Sequence, residues 1–95
     1  ELSRKAGPAT GAVSGNALDS YILQAGSFRN AADAEQRKAQ LALLGAVAAI
    51  HTVTVNDETW HRVRIGPFDG ARKADDMRRL LDDNSIDTLV LKANP

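Results

Sequence analysis

The sequence predicts a single α+β domain of element order βαββαβ, a four-stranded antiparallel sheet of strand order 4-1-3-2 with both helices on one face. Three observations carry that reading. Residues 60–68 alternate with the period of two that a half-buried strand requires, placing His61, Val63 and Ile65 on one side and Trp60, Arg62 and Arg64 on the other. Residues 31–44 and 70–83 space their apolar side chains as amphipathic helices do. Displacing the chain by 40 residues lays Leu23 on Val63, Gln24 on Arg64, Gly26 on Gly66, Phe28 on Phe68, Ala31 on Ala71, Ala34 on Ala74 and Leu41 on Leu81. Each half is then a strand, a glycine turn, a phenylalanine and a helix. Neither half can cover its own apolar surface, so the two pair about a pseudo-twofold axis, and the right-handed crossover rule gives the strand order.

Taken in order, residues 1–19 are dominated by Gly, Ala, Ser, Thr and Pro and keep no periodicity. They cannot bury enough apolar area to offset the entropy of ordering, and are expected to be a flexible tether ahead of a domain spanning 20–95. Residues 21–28 form the first strand. Asn30 is a suitable N-cap, with Asp33 and Glu35 favouring the positive end of a helix over 31–44 that buries Ala34, Leu41 and Leu44. Gly45 serves as its left-handed C-cap, and Arg37 is expected to lay its stem along the core rim with its guanidinium in water. Residues 48–55 are β-branched and form strand two; Asn56, Asp57 and Glu58 turn the chain into residues 60–68. Asp69 is expected to cap a helix over 70–83 that buries Ala74, Met77, Leu80 and Leu81, with Asn84 closing it in a left-handed conformation. Residues 87–92 give the last strand.

Composition narrows the function. At 95 residues the chain holds one domain, burying about 60–65% of its unfolded surface. Twelve basic and twelve acidic residues cancel, which removes the long-range attraction typical of nucleic-acid and anionic-membrane binders, so any anion recognition is local. There is no cysteine, and His51 and His61 lack metal-ligand spacing. No apolar run approaches the roughly 20 residues of a spanning helix. The chain opens on Glu1 rather than Met, and the expectation is a piece of a longer protein whose anchor or signal would precede it. No nucleophile–base pair, converging carboxylates or phosphate-cradling loop is present, so neither catalysis nor a metal nor a cofactor is expected.

With strands one and three adjacent and antiparallel, the Ser27 end of one approaches the Trp60 end of the other, and Gln24 is expected near Arg62. Phe28 and Phe68 are assigned to helix-to-sheet packing, Gly26 and Gly66 to backbone geometry at the strand-to-helix turn, and His61 to a hydrogen-bonded core or rim position. Trp60 is assigned to the open face. Turning it inward by a one-residue slip would recover several kcal/mol at about 25 cal/mol per Å², but would also bury Arg62 and Arg64 at several kcal/mol per unpaired ion. An aromatic platform ringed by amide, hydroxyl and guanidinium groups suits a sugar chain or a splayed nucleic-acid strand.

These residues resemble a family. Gln24-Ala25-Gly26-Ser27-Phe28, the helix with Ala34-Glu35 and Ala39-Gln40-Leu41, and Trp60 with Arg62-Val63-Arg64-Ile65-Gly66-Pro67-Phe68 look like the SPOR (sporulation-related repeat) domain of bacterial envelope proteins. The resemblance spans about residues 20–93 and is most similar to the C-terminal domains of FtsN-type division proteins. It implies a non-catalytic module that binds septal peptidoglycan, specifically glycan strands stripped of stem peptides. It also implies a periplasmic, monomeric domain on a parent anchored in the inner membrane by one N-terminal helix, and targeting of that parent to the division septum. The family's glycan-contacting positions fall on Gln24, Ser27, Trp60 and Arg62, with Arg64 a secondary candidate and Leu89 a looser match on the last strand. Some relatives carry a cysteine where Ala25 stands, paired with one near Thr88; that cross-link is absent here. The hairpin over 50–60 is longer than the family pattern and bears on one wall of the glycan groove.

Two other readings use the same open sheet. A protein-interaction module is one. An RNA-binding RNP-type domain shares this ferredoxin-like strand order, but it normally brings two or three stacking rings and a basic face, against one open-face ring and zero net charge here.

Overall fold

A computed structural model describes residues 19–93. The element order is β1 (Ser20–Phe28), α1 (Ala31–Leu43), β2 (Ala48–Val55), β3 (Glu58–Asp69), α2 (Ala71–Asp83) and β4 (Leu89–Lys92). The strands form one antiparallel sheet in the order β2-β3-β1-β4, which is the predicted topology. The tether expected over 1–19 lies outside the described residues except for Asp19. That residue is buried, its carboxylate 3.1 Å from Lys92 Nζ and its carbonyl accepting from Gly70 N–H.

The core lies between the helices and one sheet face. Tyr21, Leu23 and Ala25 of β1, Val63 and Ile65 of β3 and Ala48 of β2 alternate inward against Ala34 and Leu41 of α1 and Ala74 and Leu81 of α2. Phe28, Phe68, Met77 and Leu44 pack around this cluster as half-buried residues, so the phenylalanines have the packing role assigned to them. Leu80 departs from the expected stripe and is exposed, because adjacent residues on a helix point about 100° apart and Leu81 already faces the sheet.

The repeat extends to the helix ends. Asn30 caps α1 by accepting from Ala32 N–H at 2.8 Å. Its counterpart in the second half is Gly70, not Asp69; Asp69 is the last residue of β3, opposite Ser20, and is therefore not placed to cap α2. Each helix closes in a Schellman motif. Gly45 and Ala46 donate to the carbonyls of Ala42 and Leu41, and Ser85 and Ile86 donate to those of Asp82 and Leu81. The left-handed residue of the second motif is Ser85 (φ 63°), whereas Asn84 stays at negative φ and donates its side-chain N–H to Leu80 O. Asn56 and Asp57 both have positive φ and form a two-residue turn, so Glu58 is the first residue of β3, paired with Val55.

Candidate functional site on the open sheet face

The two central strands are bulged at equivalent places. In β1 the register slips between Gln24 and Ser27, and in β3 the residues between Ile65 and Phe68 are left opposite Ile22. The extra residues centre on Gly26 (φ 140°) and Gly66 (φ 123°), backbone that side chains rarely adopt, so the glycines shape the strands themselves and not the turns beyond them. A bulge absorbs one residue of the alternation. Ala25 and Phe28 therefore both face the helices although three positions apart, and Gln24 and Ser27 both face outward.

On that open face the bulge sets the neighbours. Gln24 stands opposite Arg64, whose Nε donates to Gln24 Oε1 at 3.4 Å, and Ser27 stands opposite Arg62. This corrects the expected Gln24–Arg62 pairing; the slip at Gly26 moves each partner along the strand. Gln24 and Arg64 are repeat equivalents, so the pseudo-twofold axis passes between them. Leu89 pairs with Gln24 from the other side and is exposed, completing a row Leu89–Gln24–Arg64–Ala49 across all four strands.

A second row runs Ser27–Arg62–His51. Arg62 is half-buried, and its Nε is enclosed without a hydrogen-bond partner among the described residues. Among the described residues neither Arg62 nor Arg64 lies within ion-pair distance of a carboxylate, so both guanidiniums keep donors for an incoming anion. Beyond them Trp60 sits outward opposite Val53, half-exposed. The Arg29 guanidinium lies over its ring, 5.2 Å from the centroid, and is held there by Glu58 at 3.3 Å. On the opposite side of the axis the equivalent row is apolar, with Ile22 and Leu91 paired and Pro67 beside them.

All six residues predicted from sequence, Gln24, Ser27, Trp60, Arg62, Arg64 and Leu89, thus occupy one face. Arg29 and His51 were not among them. Reading Asn56-Asp57 as a two-residue turn would have found His51, since that turn alone fixes the β2–β3 register that sets it against Arg62. Arg29 lies one residue past β1 and gives no pattern signal. His61 occupies the helix side as a rim residue, its Nδ1 3.1 Å from Thr52 Oγ1. Arg37 reverses its expected orientation. Its guanidinium turns inward, donating to Ala25 O at 2.9 Å and covering the Phe28 ring, because the bulge leaves that carbonyl in need of a donor.

The sequence matches the SPOR domain family over residues 17–92. The chain belongs to that family. Two solved structures are similar to it in fold. The crystal structure of the RlpA SPOR domain from Pseudomonas aeruginosa is 29% identical, with a TM-score of 0.70, 77% of this chain covered and 99% of that one. The solution structure of the peptidoglycan binding domain of the B. subtilis cell wall lytic enzyme CwlC is 19% identical, with a TM-score of 0.65 over 96% of this chain and 99% of that one, a likeness of fold alone. No curated protein matches. Among the described residues of this SPOR domain no helix is long and apolar enough to cross a membrane, and no three His, Asp or Glu residues group as metal ligands do.

Proposed function

We propose that this SPOR domain binds peptidoglycan without catalysis, prefers glycan strands freed of stem peptides, and so directs its parent protein to the division septum on the periplasmic side of the envelope. The observation that carries the reading is the open-face cluster, in which an aromatic ring, an amide, a hydroxyl and two guanidiniums without carboxylate partners among the described residues lie together on one sheet surface. Family membership and the likeness to the peptidoglycan binding domain of CwlC support it.

Sugar rings stack on Trp60, while Gln24 and Ser27 hydrogen-bond hydroxyls or acetamides. Arg62, with Arg64 behind it, pairs the lactyl carboxylate that becomes free once the peptide is removed. An intact peptide both consumes that carboxylate and fills the groove, which gives the preference for denuded strands. A shallow site of this kind supports about micromolar affinity, near −8 kcal/mol. The test is cosedimentation of wild type and Trp60→Ala with purified sacculi, with and without amidase pretreatment. Wild type should bind more after amidase and the variant little in either case. Undiminished binding by the variant, or indifference to amidase, overturns the reading.

A further inference from the structure

Among the described residues, the outer edge of β2 has none of the usual guards against strand addition. Natural edge strands are blunted by charge, proline, bulges or shortness. β4 is short, and its last residue, Lys92, is bridged to Asp19. β2 is twice as long and pairs with β3 from Ala48↔Ile65 to Val55↔Glu58 without a register shift. No Asp, Glu, Lys, Arg or Pro occurs between positions 39 and 56. Val47, just before the strand, is 88% exposed and Val55, at its end, 44% exposed.

We infer that this edge associates with a second copy of the same chain, β2 adding to β2 antiparallel about a twofold axis. The inference is independent of the glycan reading. The two-residue turn makes Val55–Glu58 a hydrogen-bonded pair, so residues 49, 51, 53 and 55 direct their main-chain groups to β3, and Ala48, Ile50, Thr52 and Thr54 direct theirs to the free edge. Pairing Ala48 with Thr54 and Ile50 with Thr52 of the other copy satisfies these groups with about eight hydrogen bonds. That register puts Val47 against Val55 at both ends, covering the exposed valines, sets Ala49 against Val53, and brings the two His51 side chains together on the axis. The contact falls at the small end of protein interfaces, so association is weak, with a dissociation constant of about 0.1–1 mM. It joins two four-stranded sheets edge to edge, with both open faces on the same side.

The absence of cysteine allows a direct test. In the 95-residue chain, His51→Cys places one thiol opposite its own copy in a non-hydrogen-bonded pair, close enough for a disulfide. Mild oxidation should convert it largely to covalent dimer, whereas Ala49→Cys, whose neighbour is Val53, should stay largely monomeric. Sedimentation of cysteine-free wild type should show a dimer fraction that rises with concentration. The double substitution Val47→Lys with Val55→Lys, at exposed side chains, should raise the dissociation constant at least about tenfold with circular dichroism unchanged. A monomeric mass up to about 1 mM, or equal cross-linking of the two cysteine variants, overturns the inference.

Discussion

Gly26→Ala tests whether the β1 bulge builds the site. A Cβ at this position would meet Phe28 Cε2 at 2.6 Å and Cζ at 2.8 Å, and the residue holds φ 140°, where alanine is strained. The strain costs about 1–3 kcal/mol. Moving the Phe28 ring disturbs its packing on the core and its place under Arg37, which adds about 1–3 kcal/mol of overpacking. With a urea slope of about 1 kcal/mol per molar for a domain this small, the midpoint should fall by about 2 M or more. Gly45→Ala is the control. Gly45 is also left-handed (φ 85°), but nothing lies within 4 Å of its Cβ position, so it should lose only about 1–2 kcal/mol. If Gly26→Ala escapes unfolding by straightening the strand, Ser27 turns inward, and sacculus binding is lost in the folded protein. A midpoint within roughly 0.5 M of wild type together with full sacculus binding refutes the reasoning.

Other outcomes follow from single groups. Tyr21→Phe and Thr88→Val each remove a hydroxyl that is enclosed without a partner, and each should leave stability unchanged or raise it by about 1 kcal/mol in urea titration. Arg62→Ala should weaken sacculus binding by about 1.5–3 kcal/mol, roughly 10- to 150-fold, without lowering the urea midpoint, since Arg62 makes no ion pair among the described residues that folding would lose. Titration with single-stranded RNA should show only feeble association that vanishes on raising salt from about 50 to 200 mM, because one open-face ring and zero net charge supply little else.

Much of the architecture was legible because the repeat states it twice. Leu41 and Leu81, Ala34 and Ala74, and Phe28 and Phe68 each confirm the other, and a helix or strand inferred in one half is checked in the second. What stayed hidden were features that depend on one residue more or less. The glycines at 26 and 66 could be assigned to backbone shape, but not to a bulge inside a strand, and the bulge decides whether Gln24 meets Arg62 or Arg64. Counting Glu58 into the turn hid His51 in the same way. The capping error arose because Asp69 has the right chemistry, while the repeat gives Asn30 its counterpart at Gly70. Arg37 and Arg29 were out of reach for another reason. Their partners, a carbonyl released by a bulge and a ring across the sheet, are tertiary, and nothing local marks a long side chain that turns back.

The pseudo-twofold axis through Gln24 and Arg64 also bears on direction. Were the two halves still alike, the face would accept a linear polymer equally well from either end. They differ: Trp60, Arg62, Ser27 and Arg29 stand where the other half has Ser20, Ile22, Pro67 and Asp69. One end of the surface carries Trp60 with the cations Arg62 and Arg29, and the other carries Ile22 and Pro67 with the carboxylate of Asp69. On the glycan reading proposed above, the unlike ends make the two orientations of a strand, which has distinct reducing and non-reducing ends, inequivalent on this surface. The repeat gives the face its twofold platform, and the difference between the halves gives that platform a direction.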